Sequence, residues 1–184
     1  LEITDCIKVY RTYLWIFGNS VRSFIYFILS FLPSIIKLIK IIKIEKPDII
    51  NFHFSDSAAL YVLLLKRIFS LPVVVSVHGN DIQKFPKESF IYRRLTTALL
   101  KKADFVTACS KSLLEDAIQL EPSIKDKSIS IGNGIDLSEF DLKDIYKAER
   151  PYILSFGRLE HKKGFDVLIN SFKIVSDQFP NYDL

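Results

Sequence analysis

From Pro47 onward, short β-rich runs alternate with helical stretches, and this alternation constrains the fold more than any other feature. Asp48-Ile-Ile-Asn-Phe-His-Phe54 reads as a strand. Ser55 or Asp56 is placed to cap a helix running to about Phe69. That helix is apolar almost all round (Leu60, Val62, Leu63, Leu64, Leu65), so it is expected to be buried. Pro72-Val-Val-Val-Ser-Val77 is a continuous β-branched run, the composition of a strand covered on both faces. A helix is expected from about Glu88 to Lys101, then a strand over Ala103–Ala108. Ser110 or Ser112 caps the next helix, and Ser112 with Glu115 has the spacing of a capping box. Ser128-Ile-Ser-Ile131 reads as one more strand. Repeated strand–helix alternation over short connections predicts an α/β fold, a parallel sheet with helices on both faces.

Residues 141–150, rich in Asp, Lys and Glu, then break the pattern and read as a linker. The pattern restarts with a strand over Tyr152–Phe156 and a helix from Gly164 that aligns Phe165, Leu168, Ile169, Phe172 and Val175. The expected organisation is a first domain over 1–140, a linker over 141–150 and the start of a second, similar domain over 151–184. Pro180-Asn-Tyr-Asp-Leu184 reads as the start of another strand, and no Met occurs, not even at position 1. The expectation is a piece of a longer protein.

The first 45 residues are very apolar, but the longest uncharged run, Ser23–Ile36, is 14 residues. A bilayer span needs about 20, so no span is expected. Net charge is +4, concentrated near the N-terminus, too mild for a nucleic-acid partner. Lys37, Lys40, Lys43 and Lys46 recur every three residues among aliphatics. The plain reading is a packed helix with solvated lysines; the sharper one is a basic stripe resting in-plane on an anionic membrane. Cys6 and Cys109 match no metal or redox spacing and read as thiols in a reducing compartment. The expected location is the cytoplasm, with a peripheral seat on the inner membrane face under the sharper reading.

Ligands in parallel α/β folds gather at the carboxyl ends of strands, and three segments with unusual residues are expected there. His78-Gly79-Asn80-Asp81 follows the buried strand directly, so His78 projects from its end and Gly79 permits a sharp turn. Gly157-Arg158-Leu-Glu-His-Lys-Lys163-Gly164 lies between a strand and a helix start. The helix N-terminus with the cations of Arg158 and Lys163 describes a cradle for a diphosphate. The order Lys-Gly is not that of a Walker A loop, and Lys162 reads as solvated. Gly132-Asn133-Gly134 reads as a tight turn leading into an interdomain hinge. No Asp-x-Asp, no Gly-x-Ser-x-Gly elbow and no zinc spacing among His53, His78 and His161 occurs. No metal or cofactor is therefore expected.

Together these segments resemble glycosyltransferase family 4, the retaining nucleotide-sugar transferases of the GT-B fold, with two facing Rossmann-like domains. The matching stretches are Lys46-Pro-Asp-Ile-Ile50, Val75–Asp81, Ala103–Ser110, Ile131–Asp136 and Ser155–Ile169. The resemblance implies two parallel-sheet domains, both incomplete here. It implies that Arg158 and Lys163, framed by Gly157 and Gly164, grip the diphosphate of a nucleotide-sugar donor. It implies that His78 lies by the donor sugar and the transferred centre, and His78 and Asp81 of that turn are the expected catalytic residues. The expected acceptor is a sugar or a lipid-linked molecule, in cell-surface polysaccharide or glycolipid synthesis, with lipid-linked sugar, polysaccharide and small-molecule acceptors all open. The family's Gly-rich loop and its Glu-x7-Glu element do not occur in these residues, so this polypeptide alone is expected to be inactive. Asn51 stands where many relatives have a His. Two alternatives are a nucleotide-sugar dehydrogenase or epimerase using Gly132 and Gly134, and a non-catalytic scaffold of the same fold.

Overall fold

The structure is a computed structural model, and it describes residues 2–4, 7–12, 14, 21–56, 58–139 and 148–184. The chain divides into two compact units, Leu1–Gly134 and Ile135–Leu184.

The first unit opens with a short antiparallel hairpin, β1 (Glu2–Thr4) and β2 (Ile7–Val9), followed by the long helix α1 (Val21–Glu45). A four-stranded parallel sheet follows: β3 (Ile50–His53), β4 (Val73–Val77), β5 (Phe105–Ala108) and β6 (Ser128–Ser130), in that spatial order. The crossovers are α2 (Ala59–Phe69), then α3 (Asn80–Gln83), α4 (Phe85–Glu88) and α5 (Phe90–Lys102), then α6 (Lys111–Leu120) with a 3-10 turn over Pro122–Lys127.

The pairing sets Ile50 beside Val73 and Phe52 beside Val75, with Val106 and Ala108 beside Val75 and Val77. These side chains share one face, and Val73, Val75, Val106 and Ala108 are buried there under Ala59, Val62, Leu99, Leu100, Leu113 and Ala117. Fully burying each aliphatic chain contributes about 1.5–3 kcal/mol. Ile50 and Phe52 also pack against the second cluster, in which Phe27 and Ile35 of α1 meet Tyr61 and Leu65 of α2. Among the described residues, both clusters therefore lie on one face of the sheet. On the opposite face Asn51, His53, Phe105 and Ile129 are exposed, and a polar ladder crosses it: Thr107 Oγ1 donates to Ser76 Oγ at 2.9 Å, which donates to Asn51 Oδ1 at 3.0 Å. This corrects the expectation of helices on both faces. The strands advance in one direction, and right-handed crossovers then place the connecting helices on the same side, where α1 joins them through α2 among the described residues.

Several local expectations also shift. α2 begins at Ala59, with Asp56 Oδ1 accepting from Ala58 N–H at 2.7 Å. Ser110, not Ser112, caps α6, accepting from Leu113 N–H, so the Ser112–Glu115 box lies inside the helix and is not formed. α1 runs straight through Pro33, and its stretch Ile25–Glu45 is long and apolar enough to cross a membrane by length and composition, contrary to the 14-residue reading. The four lysines are not one stripe, because a three-residue repeat drifts around a helix of 3.6 residues per turn. Lys37 donates to the Arg11 carbonyl at 2.8 Å, and Lys46 lies past the helix end at φ 47°.

In the second unit, the strand expected over Tyr152–Phe156 is a single parallel bridge, Tyr152 to Asp183, so the terminal segment does begin a strand pairing. A 3-10 turn over His161–Lys163 leads into α7 (Phe165–Val175). Phe165, Leu168 and Phe172 form its half-buried stripe, while Ile169 and Val175 are exposed. Most of the expected linker, residues 141–147, lies outside the described residues, as does Cys6.

Candidate functional site

β3 and β4 run parallel in register, with His53 beside Ser76, so both strands deliver a histidine at the same end of the sheet. His78 follows Val77 and sits on a turn built by Asp81. The Asp81 carboxylate is 1% exposed and accepts from the backbone N–H of Gly79 at 2.7 Å, of His78 at 3.1 Å and of Ser55 at 3.2 Å. One buried charge thus ties the turn after β4 to the segment after β3. Such charge-assisted bonds are the strong ones. Gly79 completes the turn at φ 135°, where a side chain is strained. Asp81, read from sequence as a catalytic group, spends its oxygens on the backbone and positions His78.

His78 does not stand alone. Its Nε2 lies 2.9 Å from His53 Nδ1, so one imidazole donates and the other accepts. The Phe54 ring stacks on His78 at a 4.3 Å centroid separation, and Phe54 has a left-handed φ of 61°. Neither His53 nor Phe54 is a site residue on the sequence reading. The signal was available: His53 ends its strand run as His78 ends the next, and parallel strands in register align their ends. Cys109, half-buried, places its Sγ 3.9 Å from the His78 carbonyl oxygen.

In the second unit, Gly157–Gly164 forms a loop closed by the His161–Lys163 turn. Gly164 adopts φ 68° and caps α7, whose first intrahelical bond runs from Leu168 N–H to the Gly164 carbonyl. The amides of Phe165, Asp166 and Val167 precede that bond, as at any helix start. Arg158 pairs with Glu160 at 3.1 Å and Lys162 pairs with the same carboxylate at 3.2 Å. The Glu160 carboxyl is held below its ordinary range, chiefly by the Lys162 hydrogen bond and then by the Arg158 charge. Glu160 therefore competes with any anion for Arg158 Nη1. The Lys163 stem lies alongside Gly157, where an added Cβ would sit 3.8 Å from Lys163 Cδ.

The third segment differs from expectation. Gly132, Asn133 and Gly134 form no tight turn; the stretch is exposed and irregular, and neither glycine has a positive φ. The division between the units falls just after Gly134. Two surface hollows, of about 460 and about 680 Å³, take in none of the sequence-derived site residues. Among the described residues, no three His, Cys, Asp or Glu side chains gather as metal ligands.

The sequence model of Glycosyltransferase Family 4 matches residues 10–139, most of the first unit with its histidine pair and Asp81 turn. The chain belongs to glycosyltransferase family 4. Two proteins of Methanocaldococcus jannaschii, each named an uncharacterized glycosyltransferase, are similar to it. One is 28% identical over 140 residues, which cover 73% of this chain and 36% of the relative. The other is 26% identical over 160 residues, covering 76% of this chain and 38% of the relative. The chain thus spans less than two fifths of the length of these family 4 relatives. The parallel four-stranded sheet is that of a Rossmann-like unit of the family's GT-B fold.

Proposed function

We propose that the full-length protein is a retaining glycosyltransferase that moves a sugar from a nucleotide-diphosphate donor to an acceptor hydroxyl on a polysaccharide or glycolipid. The observation that carries this reading is the turn at the carboxyl end of β4, where a buried carboxylate fixes His78. In the reaction the bond between the anomeric carbon and the diphosphate oxygen breaks, and the electron pair leaves with the diphosphate. The acceptor oxygen bonds to that carbon on the same face, and its proton passes to the departing diphosphate. Negative charge therefore grows on the diphosphate. Arg158 and Lys163 are the groups assigned to it, and fixed cations at a site of developing charge stabilise the transition state. No metal or cofactor enters the proposal. His78 is assigned to the donor sugar, with Asp81 as its positioning residue.

Incubating the full-length protein with a panel of nucleotide sugars and a membrane extract as acceptor source tests the reading. Transfer with retention is the expected result. Arg158→Ala or Lys163→Ala should each lower kcat about 100-fold, about 3 kcal/mol by analogy with loss of one oxyanion donor. The 184 residues alone should transfer nothing. A full-length protein that folds but transfers no sugar from any donor would favour the scaffold reading instead.

A further inference from the structure

We infer that the outward face of α1 is a docking surface for an anionic membrane, with the helix lying in the plane of the interface. Ile25, Leu29, Leu32 and Ile36 follow one another at steps of four, three and four residues, which places them on one line along a helix. They are 50%, 68%, 63% and 44% exposed. The same line continues into Lys40 and Lys43, both exposed, and begins beside Arg22. The apolar section is about 16 Å long, at 1.5 Å per residue. Its flanks are cationic, and the surrounding segment holds most of the chain's positive excess. An apolar stripe with basic ends fits acyl chains beneath anionic headgroups.

The opposite side of α1 argues against a span. Phe27 and Ile35 are buried against Tyr61 and Leu65, and the Phe31 ring lies 5.0 Å from that of Tyr61. Crossing a bilayer would strip these contacts from the sheet unit. A second copy of the chain fits less well than a membrane. Antiparallel pairing of two outward lines, as a two-fold axis allows, would set Lys40 and Lys43 near the partner's Arg22, like charge against like.

Co-sedimentation of the full-length protein with vesicles tests this independently of the transfer reaction. Binding is expected to phosphatidylglycerol-containing vesicles, not to pure phosphatidylcholine, and to fall as salt rises. Lys40→Gln with Lys43→Gln should weaken it about thirtyfold. Leu29→Ser with Leu32→Ser should weaken it more than about tenfold, and these exposed positions should leave the thermal midpoint unchanged. Absence of binding to anionic vesicles would overturn the inference, as would binding unaffected by the leucine variant. Resistance to alkaline extraction from vesicles would overturn it in favour of a span. A dimer dissolved by the leucine variant, with no vesicle binding, would assign the face to a second copy.

Discussion

At the scale of single residues, the candidate site rests on Asp81. Its carboxylate serves backbone amides from two different loops, and it does so inside the protein, where an unmade bond is costly. Asp81→Ala should therefore destabilise the protein by about 3 kcal/mol, read from the denaturation midpoint, with Asp81→Asn costing less because one acceptor oxygen remains. A loss under about 0.5 kcal/mol for the alanine variant would show that the amides find other acceptors. The sequence made His78, Gly79 and Asp81 visible, because a strand followed by a polar turn with glycine is a local signal. It did not make their roles visible. Asp81 meets Ser55 26 residues away and His78 meets His53 25 residues away, and only strand register brings such pairs together. The same limit applies to Arg158, whose partner Glu160 lies only two residues on but carries no role in the sequence reading.

At the scale of elements, the strands were the most legible part. Continuous β-branched runs at Val73–Val77 and the pairs around Val106 have few alternatives. Helix ends were less so: α3 and α4 are single turns without periodicity, and α1 crosses Pro33, a residue type that generally disfavours a helix interior. One junction shows how elements are tied. Asp104, just before β5, accepts from Lys66 of α2 and from Val73 N–H at 2.6 Å, joining α2 to the start of β4. Its carboxyl is held below the usual range, first by the Lys66 hydrogen bond and then by the Val73 amide. A depressed carboxyl adds stability above its unfolded value, near pH 4, and loses it as pH falls through the folded value. Asp104→Asn should thus be less stable than the parent at neutral pH, by under about 1 kcal/mol because the pair is half-exposed. In urea melts at about pH 3 that deficit should shrink. A deficit that stays constant with pH would mean the charge contributes nothing.

At the scale of the whole molecule, the sequence motifs carried the family and the α/β class, since the spacing of several modest segments is harder to match than any one of them. That the described helices pack on one face of the sheet was not legible, because a run such as Val73–Val77 reads alike whether one face or both are covered. The proposed function assigns a nucleoside diphosphate to the Gly157–Gly164 loop. Calorimetric titration of the full-length protein with a panel of nucleoside diphosphates tests it most directly, without any acceptor. Binding of at least one of them is expected, weakened more than about 100-fold in Arg158→Ala/Lys163→Ala, since each charged hydrogen bond contributes about 1.5–3 kcal/mol. Equal binding by the double variant, or no binding by the parent protein, would contradict it.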